Sequence, residues 1–152
     1  MKNIYKITLS AGLTLLFAGC GSAPSTPATP AEVKASDAYS LDVAKVCNTK
    51  VNGVQAVLDQ AAKFNPIAVK HGVEFMRFGM PASVYITETQ KAIDAKADKV
   101  VLLDDKGKPT KDTLSTEFAA ERACRFAINA LIQENEASTE WKEAVPSYGY
   151  KY

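Results

Sequence analysis

Residues 1–19 limit most strongly what this chain can fold into, because they have the pattern of an export signal. Lys2 and Lys6 give a positively charged start, Ile7–Phe17 is an apolar stretch of eleven residues, and the two residues before Cys20 are small. As a helix, eleven residues rise only about 16 Å, roughly half the hydrocarbon core of a bilayer. The pattern therefore predicts a signal peptide over 1–19 that is removed, and it predicts no helix of the folded domain there.

The end of this segment resembles the signal of a known class of proteins. The run Leu16-Phe17-Ala18-Gly19-Cys20 is similar to the lipobox of bacterial lipoproteins, and the resemblance covers the leader only. It implies cleavage before Cys20, a diacylglyceryl group on the sulfur of Cys20, and a fatty acyl chain such as palmitate on the new amino group. Gly21 follows, and the resemblance then implies delivery to the outer membrane, facing the periplasm. Several acyl chains, at about 0.8 kcal/mol per buried methylene, anchor a protein without a transmembrane helix.

Residues 20–35 have the composition of a tether. Cys20 is followed by Pro24, Pro27 and Pro30 among serine, threonine and alanine residues. Such a segment favours extended, polyproline-like chain and cannot bury a core, and its fifteen residues after the cysteine reach roughly 45 Å at about 3.1 Å per residue. We therefore expect a lipidated tether over 20–35, a helical domain over 36–146 and a tyrosine-rich tail over 147–152.

Cys47 and Cys124 are the other two cysteines, and they are expected to form one disulfide. Disulfides form and persist in the oxidising compartment that the leader predicts. No CxxC spacing is present, so the sequence favours a structural bond over a redox centre. Closing a loop of about 78 residues is worth about 4.5 kcal/mol in the chain-entropy treatment.

Apolar residues recur at helical spacing along most of the domain, which predicts an all-α fold. Three or four main helices are expected, over 38–63, Asn65-Pro66 to Gly79, 82–97 and 113–135. Residues 100–103 are interpreted as the frayed end of the third helix and a loop, because the segment that follows is too polar and proline-interrupted for a partner strand. A short turn around Trp141 ends at Pro146.

The 113–135 helix has the clearest two-sided pattern. Its predicted buried face consists of Ala120, Ala123, Cys124, Ala127, Ile128 and Leu131. Small residues permit close helix packing, and Cys47 also lies on a predicted buried face, so the first and last long helices should lie side by side. The expected fold is a small bundle of three to four helices with one disulfide between the first and last long helices.

Composition excludes several classes of function. Without Lys2 and Lys6, 16 basic residues face 17 acidic ones, so no basic excess indicates nucleic acid. His71 is the only histidine, and HExxH, paired CxxC, GxSxG and glycine-rich phosphate loops are all absent. We therefore expect no metal, no cofactor and no dedicated catalytic residues.

Two features remain as candidate binding sites. Arg122, Arg125 and Asn129 share the exposed face of the 113–135 helix, and a guanidinium can bind carboxylates through two parallel hydrogen bonds. The tail places its tyrosines in strict alternation, on one side of an extended chain, at Tyr148, Tyr150 and Tyr152. The sequence thus favours a non-enzymatic, accessory or inhibitory lipoprotein that binds another envelope protein.

Two alternatives stay open at this stage. One is a peptidoglycan hydrolase or transglycosylase that uses a single carboxylate, for which Glu74 and Glu88 are the candidates. The other is a small periplasmic chaperone that exposes core surface at low pH. A single histidine and a balanced charge give the chaperone little support.

Overall fold

The computed structural model of the chain describes residues 33–77 and 79–144, with side chains as far as residue 140. In that part it has six helices, α1 (Ser36–Tyr39), α2 (Val43–Val46), α3 (Thr49–Asn52), α4 (Val54–His71), α5 (Ala82–Asp94) and α6 (Thr116–Ala144). It also has four strands, β1 (Met76–Arg77), β2 (Met80–Pro81), β3 (Lys99–Leu103) and β4 (Pro109–Ser115). The predicted signal peptide, the predicted lipidation site Cys20 and the tyrosine tail lie outside the described residues.

The prediction of an all-α fold is wrong, because the domain also contains two antiparallel hairpins, β1–β2 and β3–β4. In the larger hairpin, residues 100–103 belong to β3 and the polar segment that follows is its partner. That segment can be polar because β4 lies at the surface, where only Thr110 and Leu114 are partly buried. Pro109 is the first residue of β4, a position that strands tolerate. The fold is therefore mixed α/β.

The predicted first helix over 38–63 is also wrong, because the structure divides this stretch at three points. The side chain of Asp42 accepts a hydrogen bond from the backbone N–H of Lys45, and that of Asn48 accepts one from the N–H of Lys50. Such bonds satisfy the free donors at a helix start and so begin new helices at α2 and α3. Gly53 then has φ of +82°, outside the helical region, and α4 starts after it.

The predicted helix boundary at Asn65-Pro66 is likewise not observed. α4 continues through Pro66 as far as His71, and Gly72 ends it in the left-handed conformation. The proline removes one helical hydrogen bond, but the buried side chains of Phe64 and Ala68 on either side keep this part of α4 against the core. The residues that were expected to complete a second helix instead lead into β1 and the tight turn to β2.

α5 and α6 agree better with the sequence. α5 matches the predicted 82–97 helix to within a few residues, and α6 includes most of 113–135 but continues without a break to Ala144. Every residue of the predicted buried face of this helix is fully buried, from Ala120 to Leu131. This part of the prediction is confirmed.

α4 and α6 lie side by side and run in the same direction. At one end Val54 and Glu117 line the same small cavity, and at the other end His71 Nδ1 lies 2.8 Å from Glu134 Oε2. Alanines on both helices are fully buried in the common core, and so are Phe64, Leu58 and Ile128. The small alanines allow the two helices to approach closely, as the sequence predicted.

The predicted disulfide between Cys47 and Cys124 is confirmed, with both residues fully buried. Its position differs from the prediction, because Cys47 directly follows the short α2 and does not belong to a long helix. The bond therefore joins the segment of short helices to α6. In the same place the backbone N–H and the hydroxyl of Thr49 donate to Glu121 Oε1, at 3.0 and 2.9 Å.

Lys96, which follows α5, has a backbone conformation that favours glycine. Its φ is +53°. The N–H of Lys96 donates to the carbonyl of Ile93, and the N–H of Ala97 donates to the carbonyl of Ala92, as in a Schellman motif. Replacing Lys96 with glycine is expected to raise the free energy of unfolding by about 0.5–1 kcal/mol, because L-residues are strained there. Urea denaturation of the full chain measures this change.

The matched control is Gly72, which has the same place after α4, with φ of +75° and no atom within 4 Å of a built Cβ. Gly72→Ala should lower the stability by about 1 kcal/mol for backbone reasons alone. If Lys96→Gly lowered the free energy of unfolding as much as Gly72→Ala does, this account of Lys96 would be wrong.

Candidate protein-binding surface

The first turns of α6 carry arginines that lie against aromatic rings. Arg77, Phe118, Arg122, Arg125 and Phe126 line, with Glu121, a shallow depression of about 170 Å³, which we call the arginine cleft. Phe118 remains 44% exposed, which is unusual for so large an apolar side chain. The cleft combines exposed aromatic surface with guanidinium groups.

Arg122 is held in place by two rings. Its Cζ lies 4.7 Å from the ring centre of Phe118 and 5.9 Å from that of Tyr85, within the range of cation–π contacts. Its Nη1 is 3.5 Å from the hydroxyl of Tyr85, at the outer limit for a hydrogen bond. Within the described part of the chain no carboxylate pairs with Arg122. The guanidinium is thus oriented by aromatic contacts, and its capacity to bind a carboxylate is not used there.

The rings under Arg122 extend into the core. Tyr85 is fully buried and meets Phe126 edge to face, with ring centres 5.7 Å apart. Phe75 also stacks on Phe126, with ring centres 4.7 Å apart. α5, α6 and the segment before β1 therefore contribute one ring each to the support of the cleft.

Arg125 is more exposed and makes a weaker contact. Its Nη2 lies 3.8 Å from Glu121 Oε2, one helical turn away, with half of the arginine side chain exposed. The other oxygen of Glu121 accepts the two hydrogen bonds from Thr49. This pair has the i, i+4 spacing of ion pairs on helix surfaces, and Glu121 also ties α6 to the short helices.

A larger groove adjoins the cleft at Arg122 and has a volume of about 680 Å³. We call it the hairpin groove, because most of its walls come from the β3–β4 hairpin. It is lined by Leu102, Leu103, Asp104, Asp105, Thr110, Asp112, Thr113 and Leu114, and by Gly79 and Arg122 from outside the hairpin. Three leucines therefore give the groove an apolar surface, and three carboxylates and one guanidinium add charges of both signs.

The shape of this groove depends on two tight turns. Asp104 Oδ1 accepts hydrogen bonds from the backbone N–H groups of Lys106 and Lys108, which fixes the turn between β3 and β4. Gly79, in the β1–β2 turn, has φ of +76°, and a Cβ built on it would lie 3.1 Å from the Cα of Asp105. Only glycine permits this close approach of the two hairpins.

The structure brings together some of the residues that the sequence singled out as binding candidates. Arg122 and Arg125 both line the arginine cleft, whereas Asn129, partly buried one turn further along α6, does not line it. Tyr148, Tyr150 and Tyr152 lie outside the described residues.

Sequence reasoning missed Phe118, Arg77 and the entire hairpin groove. Phe118 stands four residues before Arg122, a spacing that places two side chains together on a helix, so it could have been found. Arg77 and the leucines of β3 reach the site only through tertiary packing, and no local pattern marks them.

The candidates for catalysis have structural contacts. Glu74 Oε1 accepts hydrogen bonds from the side-chain amide of Asn65 and from the backbone N–H of Ser83, in the first turn of α5. Glu88 pairs with Lys91 on the surface of α5 at 2.7 Å. These contacts give Glu74 the role of a helix cap and Glu88 that of a solvated ion pair.

No protein-family model, curated protein or solved structure matches this chain. Its function is therefore inferred from the geometry of the described residues. In residues 33–77 and 79–144, no helix is both long and apolar enough to cross a bilayer. The same residues contain no cluster of three histidine, cysteine or acidic side chains that could hold a metal ion.

Proposed function

We propose that this chain is a lipoprotein, anchored in the outer membrane by Cys20 and facing the periplasm, that binds another envelope protein without catalysing a reaction. The observation that carries the proposal is the arginine cleft, where Arg122 is fixed between rings with no carboxylate partner among the described residues. Such a group is ready to bind an acidic side chain, because little of its freedom is lost on association.

The composition of the cleft supports a protein as the partner. Arginine, aromatic residues and methionine are enriched at protein interfaces, and binding hot spots are rich in arginine. Phe118 is exposed beside Arg122, and Met76, next to Arg77 in β1, is 64% exposed. A surface that only needed to be soluble would carry few such side chains.

The tail is proposed as a second contact with the same partner, through Tyr148, Tyr150 and Tyr152. Tyrosines give large contact area with little loss of side-chain entropy, and their hydroxyls add hydrogen bonds. An accessory or an inhibitory role fits this arrangement equally well.

Photo-crosslinking in intact host cells tests the proposal. We expect a benzoylphenylalanine at position 118 of the lipidated chain to capture one envelope protein in stoichiometric yield. The matched control is the same group at Val69, an exposed apolar position on α4 that is 49% exposed, where no such product is expected. Arg125→Glu should reduce the yield from position 118 at least tenfold, because charge reversal in a hot spot costs about 2 kcal/mol or more.

Further variants separate the parts of the proposal. Lys70→Glu reverses an exposed charge on α4 and should leave the yield unchanged. Cys20→Ser should abolish the product in cells, if the lipid on Cys20 brings the chain to its partner. The same products from positions 118 and 69, or none from either, would contradict a specific protein-binding surface at the cleft.

A further inference from the structure

The hairpin groove carries opposite charges over an apolar lining, and this combination indicates what it binds. We infer that the groove holds an extended segment of the partner protein that carries an acidic side chain, leucine-like side chains and a basic side chain. This inference rests on the proposed function, because it assigns to the same partner a particular kind of segment.

The acidic side chain of the segment is expected to bind Arg122. Among the described residues, Arg122 alone lines both the groove and the arginine cleft. The rings of Phe118 and Tyr85 orient its guanidinium, and no carboxylate of the described residues pairs with it. A guanidinium binds a carboxylate through two parallel hydrogen bonds, and partial burial strengthens this contact relative to a fully solvated pair. The ligand thus needs a carboxylate where Arg122 lines the groove.

The basic side chain is placed by the aspartates. Asp104 uses one oxygen for the turn, but the exposed carboxylates of Asp105 and Asp112 have no ion pair in the described part of the chain. An ammonium or guanidinium group of a ligand would offset the mutual repulsion of these carboxylates. A purely acidic segment would be repelled by these aspartates, so Arg122 and the aspartates together select a segment with both charges.

The groove also has apolar walls. Leu102, Leu103 and Leu114 are each only partly buried and can bury further surface against a ligand. The volume of about 680 Å³ lies in the range that accepts a ligand the size of a short peptide. A lipid headgroup would meet the unpaired aspartates at the membrane surface, so the acidic wall favours a peptide over a membrane.

Binding of short peptides to the full chain tests this inference. The probes are acetyl-Glu-Leu-Leu-Lys-amide and its reverse sequence, added to the full chain carrying Cys20→Ala and labelled with ¹⁵N and with ¹³C methyl groups. We expect one of the two peptides to shift the Arg122 side-chain signal and the methyl signals of Leu102, Leu103 and Leu114. Replacing the glutamate of that peptide with glutamine should weaken its binding about tenfold.

Variants of the chain give the controls. Arg122→Gln should remove the difference between the glutamate and glutamine peptides, and Arg122→Lys should restore part of it, since a lysine keeps the charge but not the planar geometry. Lys111→Gln removes a positive charge from β4 at a residue that does not line the groove, and should leave the affinity unchanged. Unshifted leucine methyl signals in Arg122→Gln without peptide would show that the groove itself is intact.

Equal binding of the glutamate and glutamine peptides, or shifts confined to other surfaces, or no shifts at all, would overturn the inference. These outcomes do not affect the crosslinking result. A partner captured at position 118, together with failure of the peptides, would support the proposed function and reject the groove as its peptide site.

Discussion

Replacing both Cys47 and Cys124 with alanine is expected to lower the free energy of unfolding by about 2–5 kcal/mol. The bond closes a loop with a sequence separation of 77, so its loss frees much of the unfolded chain. In the folded state it fixes α1 to α3 against α6, where otherwise Thr49, Ala38 and their neighbours make the contacts. A loss of this size is a large part of the 5–15 kcal/mol that a domain usually has.

Urea denaturation followed by circular dichroism measures this effect, with the full chain in its oxidised form as reference. Cys20→Ala alone is the matched control. It should leave the denaturation midpoint unchanged, because Cys20 is expected to carry lipid and not to form a disulfide. Since both sulfurs of the bond are buried, a mild reductant should not open it in the absence of urea. A loss below about 1 kcal/mol would show that the noncovalent contacts of Thr49 hold the segment without the bond.

The elements that the sequence predicted well are those whose signal is regular and long. α6 repeats small apolar residues every three or four positions from Ala120 to Leu131, and that row is buried. The disulfide was predictable because only two cysteines remain after Cys20 in a chain expected to be exported. Both predictions depend on local or counted features, which do not need the tertiary structure.

The failures have a common cause, in which a local contact or the surrounding fold outweighs the periodicity. Apolar spacing continues through 38–63, but the side chains of Asp42 and Asn48 hydrogen-bond to nearby backbone and begin new helices. The polarity of residues 109–115 predicts a loop, but they form β4, whose outward side chains face solvent and need not be apolar. The first case is decided by local hydrogen bonds, and the second by burial of one face, which is a property of the tertiary fold.

The candidate site shows the same division. Arg122 and Arg125 were identifiable because both lie on the polar face of one strongly predicted helix. The hairpin groove was not, since its leucines belong to two strands, β3 and β4, that the sequence failed to predict. Its closure against the β1–β2 turn depends on the approach of Gly79 to Asp105, which no sequence pattern indicates.

Replacing Tyr85 with alanine is expected to lower the free energy of unfolding by about 3–5 kcal/mol, the largest effect of any single substitution proposed for this domain. Tyr85 is fully buried, and its ring packs edge to face on Phe126 and beneath Arg122. Alanine leaves a cavity that the surrounding helices cannot fill, because close packing limits how far α5 can move. Urea denaturation measures the loss.

Two further substitutions separate packing from hydrogen bonding. Tyr85→Phe removes only the hydroxyl, whose contact with Arg122 Nη1 is long at 3.5 Å, so it should cost no more than about 1 kcal/mol and should preserve the crosslink from position 118. Tyr39→Ala removes a tyrosine that is 40% exposed and should cost much less than Tyr85→Ala. If Tyr85→Phe were as damaging as Tyr85→Ala, the hydroxyl rather than the ring would support Arg122, and the account of the cleft as an aromatic platform would be wrong. If instead only the loss of the ring disturbs both stability and crosslinking, then the same buried side chain stabilises the core and orients the guanidinium that the partner contacts.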